Sequence, residues 1–284
     1  MRSLLLSFLL CLGLSIHASR LQYQPEDSVR VVKMLKEVNR IKVCTNWVVH
    51  FARKLIGVPY VGKTLEVNDT ERLIVNLRQL DCTTYVENVL ALALCASNGL
   101  ERFEDFYTFL RLIRYRSGKV SYTDRLHYFA DWVADNERMG YVRNLNSFNP
   151  PFSAVQTVNA HFMTEHVKFY PMLVKHPEWI DDIKNMEKNI TGWRVPYVPK
   201  AELENTSVFR DAIRDGDILG LLTSRDGLDT SHLGIAIWHK DGLHLLNASS
   251  LHHKVVEERM TLYQYMQKQP RQIGFRVVRP IMNE

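Results

Sequence analysis

The chain has 284 residues, enough for one large domain or two small ones. Its composition is that of a globular protein, with ample aliphatic residues, no low-complexity tract and no internal repeat. The net charge of +5 comes from basic residues scattered among acidic ones, which falls short of the clustered basic face that nucleic-acid binding requires.

The N-terminus indicates the compartment. Arg2 precedes an apolar run from Leu4 to Leu14, and Ser15-Ile16-His17-Ala18 ends it with a small residue at the cleavage edge. Residues 1–18 read as a secretory signal peptide, too short to remain as a membrane span. Cys11 lies inside the run, but Leu10 before it is not the small residue that a lipoprotein site needs. Cleavage near Ala18 is expected to leave residues 19–284 as one exported domain, periplasmic or extracellular. No later stretch is long and apolar enough to span a membrane. Cys44, Cys82 and Cys95 then remain, and an odd number in an exported protein suggests a free thiol. Two arrangements stand open: a Cys44–Cys95 disulfide that leaves Cys82 free, or three unpaired thiols. Asn-x-Ser/Thr sequons occur at Asn68, Asn189, Asn205 and Asn247, and matter only in a host that glycosylates.

From Pro25 to Leu55 the apolar spacing predicts two amphipathic helices, broken by Gly57-Val58-Pro59-Tyr60-Val61-Gly62. After the short run Leu73 to Leu77 comes Leu80-Asp81-Cys82-Thr83-Thr84. Tyr85, Val86, Val89, Leu90 and Ala93 recur at helical spacing, which predicts a helix with one buried face that ends at Asn98-Gly99. Asp81 suits its N-cap and places Cys82 in the first turn. A cysteine on an apolar face is usually inert filling. At a helix start, however, unpaired N–H groups and the dipole favour a thiolate, and can receive an oxyanion after it attacks a carbonyl.

Glu104 to Arg116 reads as a further amphipathic helix. Residues from about 100 to 205 otherwise read as a large helical and irregular insertion, rich in aromatics, with one helix expected across Lys175 to Lys188. The last third turns to short β-type runs: Asp217 to Leu222, His232 to Trp238, Leu243 to Ala248, Lys254 to Glu257 and Gly274 to Arg279. Their close succession implies an antiparallel meander, and helices followed by strands give an α+β class.

His232 opens one of these strands and shares a face with the small residues Gly234 and Ala236. It follows Cys82 by about 150 residues, an order and separation that suit a papain-like Cys–His pair. A third group should orient the imidazole, and strand parity separates the candidates His244 and Asn247. An even-length turn after Trp238 places Asn247 on the His232 face, and an odd-length turn selects His244. Asp241-Gly242 as a two-residue turn favours Asn247.

These motifs resemble a known family. Gly57-Val58-Pro59-Tyr60, Leu80-Asp81-Cys82-Thr83-Thr84, Asp217-Ile218, Ser231-His232-Leu233-Gly234-Ile235 and Asn247-Ala248-Ser249 are similar in type and order to the NlpC-type papain-like cell-wall hydrolases. Glu71 to Arg78, leading into Cys82, resembles the N-acetylmuramoyl-L-alanine amidase-like subgroup. The resemblance implies a papain-like core with N-terminal helices and an antiparallel sheet. It also implies Cys82 as nucleophile, His232 as general base and then acid, and Asn247 as third catalytic group, where the wider family often has histidine. Tyr60, Asp81, Thr83 and Ser231 become expected substrate contacts, with Thr83 replacing the usual serine. The implied substrate is peptidoglycan or its muropeptide fragments, cut at the N-acetylmuramoyl-L-alanine amide. Cleavage between D-glutamate and the third stem residue is the rival, and a non-catalytic wall-binding module the alternative class. No metalloprotease helix motif or paired Cys-x-x-Cys occurs, so no metal or cofactor is expected, nor a nucleic-acid partner. A monomer is expected.

Overall fold

The computed structural model describes residues 21–38, 41, 46–147, 151–203 and 209–283. The expected signal peptide, Cys44 and Asn205 lie outside the described residues. Helices α1 (Pro25–Val38), α2 (Trp47–Lys54), α3 (Cys82–Ser97) and α4 (Phe103–Arg114) form the N-terminal layer. Strands β1 (Leu21–Gln22) and β2 (Leu73–Ile74) make a small parallel pair beside it. Among the described residues no helix is long and apolar enough to cross a membrane.

Helix α3 is buried on more than the one expected face, since every residue from Thr84 to Cys95 is buried. It packs between α2 and α4 on one side and the sheet on the other, as a helix apolar almost all round must. Two of its buried polar residues are tied into the interior, although Asn88 Oδ1 is left without a partner. Glu87 Oε2 accepts from Arg114 Nε at 2.6 Å, and Asn88 Nδ2 donates to the Thr84 carbonyl at 2.6 Å. Each fully buried leucine or valine of such a helix contributes about 1.5–3 kcal/mol.

Then come α5 (Phe129–Arg138), β3 (Val142–Asn144), β4 (Ala154–Thr157), α6 (Phe162–Glu165), α7 (Pro171–Lys175), α8 (Ile180–Ile190) and β5 (Arg194–Pro199). The helix expected across Lys175 to Lys188 is interrupted. Pro177 lacks an N–H and forces His176 out of the helical region (φ −124°, ψ 68°), so α7 stops and α8 begins after a 3-10 turn. Phe129, Trp132 and Val133 of α5 join the core around α3, while Ile183, Met186 and Ile190 of α8 close a separate apolar cluster with Tyr122 and Tyr128.

The sheet is completed by β6 (Ile218–Thr223), β7 (Thr230–His239), β8 (Gly242–Ser249), β9 (Lys254–Thr261), helix α9 (Leu262–Gln267) and β10 (Gln272–Pro280). Strands β6 to β9 form the expected meander, but β10 does not continue it. It crosses back to pair with β6, in the order β4-β5-β10-β6-β7-β8-β9, with β3 also on β10 and every pairing antiparallel. The run Gly274 to Val278 is wholly buried, so its backbone needs partners on both edges, and β9 offers only one. The protein is thus of mixed α+β class, with helix α3 lying across β7 and β8.

Candidate active site

The start of α3 is built by a reciprocal cap. Asp81 Oδ1 accepts from the Thr84 amide at 2.8 Å, and Thr84 Oγ1 accepts from the Asp81 amide at 2.9 Å. Cys82 is therefore the first residue of the helix and is partly exposed, with Thr83 Oγ1 4.0 Å from its sulfur. Asp81 Oδ1 is committed to this cap, accepting from both the amide and the hydroxyl of Thr84.

The Gly57–Val61 segment is stitched between two elements. Leu80 N donates to Pro59 O at 3.0 Å and Val61 N to Leu80 O at 3.0 Å, while Tyr60 N donates to His253 O at 2.9 Å. This holds the half-buried Tyr60 near Cys82. Burial, reinforced by the nearby Cys82 and Asp81, pushes the phenol up to about 12, so it stays an O–H donor at neutral pH.

Strands β7 and β8 are joined by the two-residue turn Lys240-Asp241, one residue earlier than expected and of the same even length. Gly234 lies level with Asn247, so His232 and Asn247 share a face, and His244, level with Ile237, points the other way. His232 Nε2 donates to Asn247 Oδ1 at 2.9 Å, which leaves Nδ1 for Cys82. Burial works to lower the His232 pKa. The charge and hydrogen bond of Cys82, the hydrogen bond to Asn247 and the Glu258 carboxylate outweigh it, and the imidazole is held above its ordinary value. A histidine whose charged form is favoured by an adjacent cysteine has the arrangement that a base needs beside a thiol.

One group of the site was missed from sequence. Glu258 is buried (2% exposed); its Oε1 accepts from Asn247 Nδ2 at 3.3 Å and its Oε2 from His252 Nε2 at 3.2 Å. An amide that accepts from His232 and donates to a carboxylate has one workable orientation. The available signal was parity carried one strand further: Asn247 pairs with Val256, and Glu258 lies two residues on.

His244 instead donates Nδ1–H to the Glu258 carbonyl at 2.9 Å, with Nε2 3.0 Å from Asp241 Oδ1. With His239 it forms the one set of side chains among the described residues that could converge on a metal ion, away from Cys82. Cys95 is a free thiol, fully buried within α3, and burial pushes it up to about 12. Ser231 is exposed at the mouth of a cleft of about 510 Å³ that also reaches His232.

The sequence matches over residues 50–275 the family described as AmiA-like, N-acetylmuramoyl-L-alanine amidase-like. Among solved structures, an N-acetylmuramoyl-L-alanine amidase from Bacteroides uniformis ATCC 8492 is 36% identical, with 82% of this chain and 98% of that one covered and a TM-score of 0.76. A Bacteroides fragilis structure named as a xylanase is 40% identical over 80% of this chain and 98% of that one, with a TM-score of 0.75. A Legionella pneumophila protein, at 22% identity and a TM-score of 0.69 over 91% and 97%, shares the fold. No curated protein sequence matches the chain. A family match spanning most of the chain, supported by structural neighbours at this level of identity, places the chain in the AmiA-like, N-acetylmuramoyl-L-alanine amidase-like family.

Proposed function

We propose that the protein is an exported cysteine amidase of peptidoglycan, on a papain-like core of the NlpC type, that cuts the amide between N-acetylmuramic acid and L-alanine. The observation that carries this reading is the His232 Nε2–Asn247 Oδ1 hydrogen bond of 2.9 Å, beside a cysteine at the first position of a helix. His232 Nδ1 takes the Cys82 proton, and the thiolate attacks the lactyl carbonyl carbon. The oxyanion is met by N–H groups at the start of α3 and by the Tyr60 hydroxyl. His232 then gives its proton to the amide nitrogen as the C–N bond breaks, the peptide leaves as an amine, and a thioester remains. Water, deprotonated by His232, hydrolyses that thioester, freeing the lactyl carboxylate and restoring the thiol.

The family and its amidase-named neighbour support the bond. The xylanase name of the other neighbour finds no support in this constellation, because a glycosidase works through two carboxylates across the scissile bond. Turnover of purified muropeptides by the wild type and not by Cys82→Ala tests the enzyme assignment. Equal turnover by both proteins removes Cys82 from the chemistry. No turnover by either favours the wall-binding alternative.

A further inference from the structure

The cleft beside His232 holds groups that the cysteine chemistry does not use. Arg225, in the β6–β7 connection, and Arg271, just before β10, both line it. Neither guanidinium forms an ion pair with a carboxylate among the described residues. Arg225 is positioned by stacking: its Cζ lies 4.4 Å from the ring centroid of Phe162, contributed by α6 of the middle segment. Gln272, also in the lining, is only 7% exposed, and its Oε1 has no hydrogen-bond partner. Its side chain engages Tyr265, whose ring lies 6.5 Å from that of His232. A buried acceptor without a donor is unfavourable unless something that enters the cleft donates to it.

The direction of the reaction identifies what enters. His232 protonates the departing nitrogen, so the leaving half of the substrate lies on the His232 side. We propose that this cleft is a subsite for the leaving peptide, where Arg225 and Arg271 bind a carboxylate and Gln272 Oε1 accepts a peptide N–H. The assignment rests on the cysteine amidase reading, in which the leaving peptide begins with L-alanine followed by D-glutamate and presents the D-glutamate α-carboxylate near the new amine. Two guanidiniums with no competing acid suit that carboxylate, and the orphan acceptor suits the amine or amide nitrogen beside it.

Binding of two tripeptides to the Cys82→Ala protein tests this by calorimetry: L-alanyl-γ-D-glutamyl-diaminopimelate, and the same peptide amidated at the D-glutamate α-carboxyl. The acid form is expected to bind at least about tenfold more tightly, the scale of one charge-assisted hydrogen bond. The double variant Arg225→Gln/Arg271→Gln should erase that preference, and because both arginines are exposed it should fold normally. Equal binding of the two peptides, no binding of either, or a preference that survives the double variant overturns the subsite. The amidase reading is judged separately, by wild-type turnover of muropeptides. If turnover is absent while arginine-dependent binding persists, the subsite stands and the cleavage assignment falls.

Discussion

Asn247 is held from both ends, and each end does something different. Its oxygen fixes the His232 ring, while its nitrogen, on Glu258, fixes the amide itself. Asn247→Ala should lower kcat/KM on the order of a hundredfold and leave residual activity, because the orientation of His232 is lost while Cys82, the proposed nucleophile, is kept. His244→Gln, on the opposite face, should stay near wild type. The reverse ranking would remove Asn247 from the mechanism. Glu258 acts on charge as well as position. His232 is held above its ordinary pKa partly by that carboxylate, so its imidazolium survives to higher pH. Glu258→Gln can still accept from Asn247 but carries no charge. The alkaline limb of its kcat/KM profile should therefore move to lower pH. A limb that superimposes on the wild type would show that the charge is silent. Parity across one hairpin made Asn247 legible, because side chains alternate strictly along paired strands. Glu258 was harder to read, since β9 slips register against β8 between His244 and Leu246, and a slip leaves no mark on local pattern.

Among the elements, α3 determines where Cys82, the proposed nucleophile, stands. The Asp81–Thr84 box is the side-chain cap of its start, and Thr84 is buried. Thr84→Val keeps the shape and removes the hydroxyl that pairs with the Asp81 amide. It should cost about 1 kcal/mol in urea unfolding. Iodoacetamide labelling of Cys82 at neutral pH should slow as well, because the helix start is no longer fixed. Unchanged stability and labelling would show that the box is dispensable. The helix and its cap were readable from Asp81 and from the apolar spacing. Its burial on all sides was not, because Glu87 and Asn88 look like solvent-facing residues until Arg114 and the Thr84 carbonyl are brought to them by the fold. Pro177 was visible in the sequence and does break the expected helix, at the place where backbone chemistry requires it.

Across the whole molecule, the middle segment is tied to the core by buried charge and by shared sheet. Arg125 binds Glu71 (Nη2–Oε2 2.7 Å) and Glu66 (Nη1–Oε1 2.6 Å), and Tyr115 donates to Glu71 at 2.6 Å. These contacts clamp the stretch before β2 to the connection between α4 and α5. Arg125→Leu leaves two carboxylates without their cation in a buried site and should destabilise the protein by about 3 kcal/mol. A loss well below 1 kcal/mol, measured in urea at neutral pH, would mean that water replaces the guanidinium. The α+β class followed from the order of helical and strand periodicities. The return of β10 to β6 did not, since a buried apolar strand carries no label for its neighbours, and pairing across about 50 residues is settled by the whole core.

Mass spectrometry of the products from a muramyl tripeptide tests the Cys82 sulfur and the N-acetylmuramoyl-L-alanine amide together. The wild type should release free N-acetylmuramic acid and an intact tripeptide, and Cys82→Ala should release neither. Muramyl dipeptide with a free third residue, or the predicted products appearing undiminished from Cys82→Ala, would contradict it.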